Sequence, residues 1–161
     1  IDLTLGYATG GFSISVTDYW FNGGPGYFHY GSHNTNHTFE AQIGYDFGPL
    51  ALNWYTNFAA TDGVNNEGDR AYSSYISATV PFTLAGLEWT AEIGATPWGT
   101  DFYNYSEAPV CNGSNGFTVC DISMGAAKEI KITDSFSVPA FAKVTVNPRT
   151  EGAYFVFGLS F

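Results

Sequence analysis

The last twelve residues, Thr150-Glu151-Gly152-Ala153-Tyr154-Phe155-Val156-Phe157-Gly158-Leu159-Ser160-Phe161, alternate with a period of two. Ala153, Phe155, Phe157, Leu159 and Phe161 fall on one face of a strand, and Tyr154, Val156, Gly158 and Ser160 on the other. Successive side chains of a strand point to opposite faces, so this spacing fits a strand and not a helix.

The same alternation, broken by turn residues, runs upstream through nearly the whole chain. It predicts nine strands, at 1–8, 11–22, 37–48, 50–59, 71–83, 87–98, 117–133, 135–147 and 152–161. Ala8-Thr9-Gly10, Gly48-Pro49, Leu84-Ala85-Gly86 and Thr133-Asp134-Ser135 make tight connections; 22–36, 60–70 and 99–116 make long polar ones. Nineteen glycines, eleven tyrosines and few strong helix formers argue against a helical fold. At 161 residues, 1–161 reads as one domain.

One face of these strands is apolar, as in Phe39, Ala41, Ile43, Tyr45 and Phe47, or Val138, Ala140, Ala142, Val144 and Val146. The other is rich in Ser, Thr, Asn, Gly and isolated acids, as in Thr38, Glu40, Gln42, Gly44 and Asp46. Solvent faces of soluble sheets usually carry Lys and Glu, whereas small polar residues suit a narrow interior. No run of about 18 apolar residues exists to make a membrane helix. If the chain spans a bilayer it therefore does so as a closed barrel, since only helices and barrels satisfy their backbone hydrogen bonds in lipid. A soluble sandwich or lipocalin-like barrel is the competing architecture.

A terminal strand of this kind, closing on an aromatic residue at Phe161, resembles the last strand of Gram-negative outer-membrane β-barrels. With the strand rhythm it places the chain near their small porin-like families. The resemblance implies an antiparallel up-and-down transmembrane barrel of about 8–10 strands, with long loops extracellular and short turns periplasmic. It also implies Phe161 as an assembly signal, and outer-membrane lipid, lipopolysaccharide and the barrel assembly machinery as partners. Nine strands is odd where bacterial single-chain barrels have even numbers. Ile1 already lies inside a strand pattern, so one more strand and some N-terminal sequence are expected upstream.

Fifteen Asp plus Glu against five Lys plus Arg give a net charge of -10, which disfavours nucleic acid as a partner. On the polar face Glu40, Asp46, Glu88, Glu92, Asp121 and Glu129, with Asp2, face only Lys131 and Lys143, and these are the candidate pore-lining residues. Two readings follow. In one, an acidic ring favours cations in a narrow porin that passes small solutes or cations passively. In the other, Glu–Lys pairs with Tyr55, Tyr75 and Phe141 plug the interior, and the barrel is a closed accessory subunit of a larger membrane complex.

Cys111 and Cys120 bracket a turn-prone stretch, and an even cysteine count in an exported chain predicts a disulfide. His29, His33 and His37 recur every fourth residue, but the surrounding glycines and asparagines argue against the helix that would align them, so no metal and no cofactor is expected. No Gly-x-Ser-x-Gly elbow or phosphate loop is present, and no enzyme is expected. Asp18 and Lys128 fall on the apolar face, where rim positions or bulges are expected; Pro81 and Pro139 are expected at bulges near the short-turn rim.

Overall fold

The structure, a computed structural model, describes residues 1–21, 24, 26–31, 34–103 and 116–159. Nine strands follow one another: β1 (Asp2–Thr9), β2 (Phe12–Trp20), β3 (His37–Asp46), β4 (Ala51–Ala60), β5 (Ser74–Leu84), β6 (Leu87–Thr96), β7 (Thr118–Thr133), β8 (Phe136–Asn147) and β9 (Gly152–Leu159). All nine strands expected from the alternation are present, with ends moved by at most three residues. They form one antiparallel up-and-down sheet in chain order, with no helix among the described residues.

Turn chemistry fixes the hairpins at one rim. Gly10 and Gly11 both take positive φ (54° and 87°), as do Ala85 and Gly86 (53° and 74°). This is the two-residue turn whose twist matches that of the strands it joins. Gly48 N–H donates to Asp46 Oδ1 at 2.7 Å in the β3–β4 turn. At the opposite rim the β2–β3, β4–β5 and β6–β7 connections are long. The β8–β9 connection there is tight, with Asn147 Oδ1 accepting from the N–H groups of Arg149 and Thr150.

Register carries the two faces across the sheet. Tyr7, Ile14, Ile43, Trp54, Ile76 and Ala95 pair in sequence along an apolar row. Gly6, Ser15, Gln42, Tyr55 and Tyr75 do so along a polar one. Burial runs opposite to that of a water-soluble protein. Among the described residues, eleven polar side chains are buried, including Thr17, Asn57, Ser77 and Ser123, against four apolar ones. Leu5, Ile43, Trp54, Ile93, Met124, Val144 and Phe157 are exposed together on the apolar face.

The barrel expected from the sequence is not closed. β1 pairs only with β2, and β9 only with β8. The reason is directional: in an antiparallel meander the first and ninth strands run the same way, so no antiparallel ladder can form between them.

Asp18 lies near the long-loop rim, as expected, and meets a partner there. Its Oδ1 is 2.6 Å from His37 Nδ1, and His37 Nε2 is 2.5 Å from the Tyr27 carbonyl. The two ring nitrogens of His37 thus each face one oxygen, of Asp18 and of Tyr27. Tyr30 stacks on the imidazole at 4.2 Å, and Tyr27 meets it edge-on, so the first long loop folds back over the apolar face and covers the pair.

Pro81 and Pro139 stay in register with Thr90 and Glu129, contrary to the expected bulges. The register shifts fall instead at Phe39/Glu40, Gly94/Ala95 and Lys131/Thr133. β6 pairs with β7 only as far as Glu88↔Ala127, while β7 and β8 go on pairing with each other to Thr133↔Phe136. The remainder of the β7–β8 hairpin therefore overhangs the short-turn rim, and Lys128 lies where the overhang begins. Phe161 lies outside the described residues.

Candidate functional site

The polar face is densest near the long-loop rim, where two tyrosine–carboxylate clusters meet. Glu40 on β3 receives Tyr19 Oη from β2 at 3.1 Å and Tyr103 Oη from the third long loop at 2.9 Å. Glu92 on β6 receives Tyr75 Oη and Thr79 Oγ1 from β5, both at 3.3 Å. The rings connect the clusters: Tyr75 lies 6.1 Å from Tyr55 and 5.6 Å from Tyr103. Loss of water around the Tyr103 hydroxyl, followed by the negative Glu40 carboxylate, pushes its pKa well above that of an ordinary phenol. Tyr103 therefore remains a donor to Glu40 through the neutral range.

Glycines make room for these rings. A Cβ on Gly94 would collide with the Tyr75 phenol; on the same face, Gly44 leaves room for the Asn53 and Gln42 amides. Below the tyrosines, Gln42 Nε2 donates to Asn53 Oδ1 at 3.0 Å, and Ser15 Oγ donates to Gln42 Oε1 at 3.0 Å.

Loops cap the cluster through two aspartates. Asp62 accepts from Gly63 N–H at 2.7 Å, from Ser73 N–H at 3.2 Å and from Asn57 Nδ2 at 3.3 Å, with Arg70 Nε 3.6 Å away. Asp101 Oδ1 accepts from Val64 N–H at 2.7 Å, tying the second long loop to the third. Ser73 and Thr100, both fully buried, share a hydrogen bond at 2.6 Å.

The expected pore-lining residues divide by height. Glu40 and Glu92 sit in the tyrosine clusters. Asp121 shares their face, pairing with Gly94, and its Oδ1 is buried without a hydrogen-bond partner. Lys143 pairs with Gly125 and Val156. Glu88 and Asp46 are exposed at the short-turn rim, and Glu129 and Lys131 lie on the overhanging hairpin, where Lys131 Nζ contacts Asp134 at 2.8 Å. Among the described residues no Glu–Lys ion pair crosses the polar face. Tyr55 and Tyr75 approach each other as the plug reading expects, whereas Phe141 lies across Gly158 on β9.

Among the described residues the expected disulfide is not found. Cys120 is a buried free thiol within β7, beside the register shift at Gly94/Ala95, and Cys111 lies outside the described residues. His37 is taken up by Asp18 and Tyr27, and His33 is also outside the described residues. Among the described residues no group of three or more His, Cys, Asp or Glu side chains is placed to hold a metal. Asp62, Asp101 and Tyr103 carry the cap, and sequence reasoning missed them because loop residues show no periodicity. Comparison with protein-family models, curated proteins and solved structures gives no match for this chain.

Proposed function

We propose that this chain is an outer-membrane β-barrel protein acting as a narrow porin, passing small solutes or cations passively. The observation that carries the reading is the inverted burial: polar side chains inside, aliphatic and aromatic side chains exposed. In water so large an apolar surface would drive aggregation; in lipid it is the matching solvent. The interior carboxylates give the path its sign. Glu40 and Glu92 are held by neutral hydroxyls and not by lysines, so their charge stays available to a passing cation.

A second reading, a closed scaffold docked in a larger membrane complex, draws on the tyrosine clusters and the Asp62–Asp101 cap, which narrow the long-loop end. Planar-bilayer recordings under a salt gradient separate the two. A stable, cation-favouring conductance that loses selectivity when Glu40 and Glu92 become Gln is the expected result. A correctly folded, heat-modifiable protein that carries no current would overturn the porin and leave the scaffold.

A further inference from the structure

We propose that Glu92, Asp121 and Ser123 bind a hard divalent cation of the calcium type on the polar face between β6 and β7. The inference deepens the pore reading and rests on it in one respect: the polar face must be reachable from water.

Glu92 and Ser123 are direct cross-strand partners, and Asp121, two residues before Ser123, pairs with Gly94, two residues after Glu92. The three side chains thus occupy neighbouring positions of one face, Glu92 and Ser123 directly opposite with Cβ atoms about 5 Å apart and the two carboxylates on a diagonal of about 7 Å, within the span of two ligands on one cation. The fourth corner of the square is Gly94, over which the Tyr75 phenol lies, so the free space is the part of the square beside Ser123 and Asp121.

Two atoms at this square lack the partner that buried polar groups normally have. Ser123 is 5% exposed, and its Oγ has no hydrogen-bond partner; Asp121 Oδ1 is buried and likewise unpartnered. Glu92 accepts from Tyr75 and Thr79 through separate oxygens, and these donors orient the carboxylate while each oxygen keeps a lone pair free. Among the described residues neither carboxylate forms an ion pair with a lysine or arginine. Two carboxylates and a hydroxyl, all oxygen, with no imidazole or thiolate in the set, select a hard cation over zinc or copper. Water completes its coordination shell.

Tyr75 makes the site directly testable. Its phenol contacts Glu92, close enough to sensitise the luminescence of Tb3+, a calcium-sized probe. The folded protein in detergent is expected to give saturable Tb3+ emission that Ca2+ displaces. Asp121→Asn and Glu92→Gln each weaken binding by about tenfold or more, because affinity follows the number of ligand charges. Ser123→Ala weakens it less, and Glu67→Gln, an exposed loop acid, leaves it unchanged.

Absence of saturable emission from a heat-modifiable, folded sample would overturn the site, as would unchanged emission in the Glu92→Gln/Asp121→Asn double variant. Binding by a folded protein that carries no current keeps the site and removes the pore. Current through a protein that binds no Tb3+ does the reverse.

Discussion

A single charged residue on the apolar face shows how this chain accommodates polarity among exposed apolar side chains. Asp18 stands on the side of β2 that also carries Ile14 and Val16, yet it is buried by His37, Tyr27 and Tyr30 and does not face outward. Removing one member of such a pair leaves an uncompensated buried charge, at a cost of about 3 to 5 kcal/mol. His37→Ala should therefore destabilise the protein by about that amount in urea unfolding from phospholipid vesicles followed by tryptophan fluorescence. The double variant Asp18→Val/His37→Val should recover most of the loss, because no charge is then stranded. Equal destabilisation in both would mean that the pair acts only through packing. The misfit of Asp18 was legible in the sequence from its parity alone. Its partner was not, because His37 reaches it only through the β2–β3 register, and its cover comes from a loop without periodicity.

At the scale of elements, period two wrote both the strands and their faces into the sequence, and the structure adds the heights. β7 and β8 were legible as long strands. Their overhang beyond β6 was not, because it depends on where β6 stops pairing. That overhang separates Glu129 and Lys131 from Glu40, Glu92 and Asp121, with which they share a parity. Asp62, Asp101 and Tyr103 are invisible to the same reasoning. The Tyr103–Glu40 bond joins residues 63 positions apart through a loop that no pattern predicts.

The face assignment itself is testable on β8. Ala142 pairs with Ala126 and Phe157 on the apolar face, and Thr145 pairs with Ser123 and Tyr154 on the polar one. An arginine on the lipid side of a barrel costs about 2 to 4 kcal/mol at mid-membrane. Ala142→Arg should lower the yield of heat-modifiable protein in outer membranes, while Thr145→Arg, near Asp121 and Glu92, should assemble normally. Equal yields from the two variants would sink the assignment.

For the whole molecule, the proposed membrane reading raises one question of topology with few answers. A sheet with two open edges cannot stand in a bilayer, since each unpaired N–H and C=O there costs several kcal/mol. β1 and β9 run in the same direction, so joining them directly would require a parallel ladder. A single further strand between them, running from the short-turn rim toward the long-loop rim, would pair antiparallel with both. It would also bring the count to an even ten, the parity of single-chain bacterial barrels.

The two closures differ in a distance. Direct pairing sets β1 and β9 about 5 Å apart, and an intervening strand sets them about 10 Å apart. If a strand intervenes, cysteines placed at Leu3, Leu5 or Tyr7 against Phe155 or Phe157 in the vesicle-inserted protein will fail to form disulfides, yet will be joined by a bifunctional thiol reagent spanning about 10 Å. Disulfides forming readily between level positions would instead establish parallel closure of a nine-stranded barrel. The interior would then be narrower by one strand, and the Tyr75–Tyr103 constriction would occupy a larger share of its cross-section. That geometry would favour the closed scaffold over the porin.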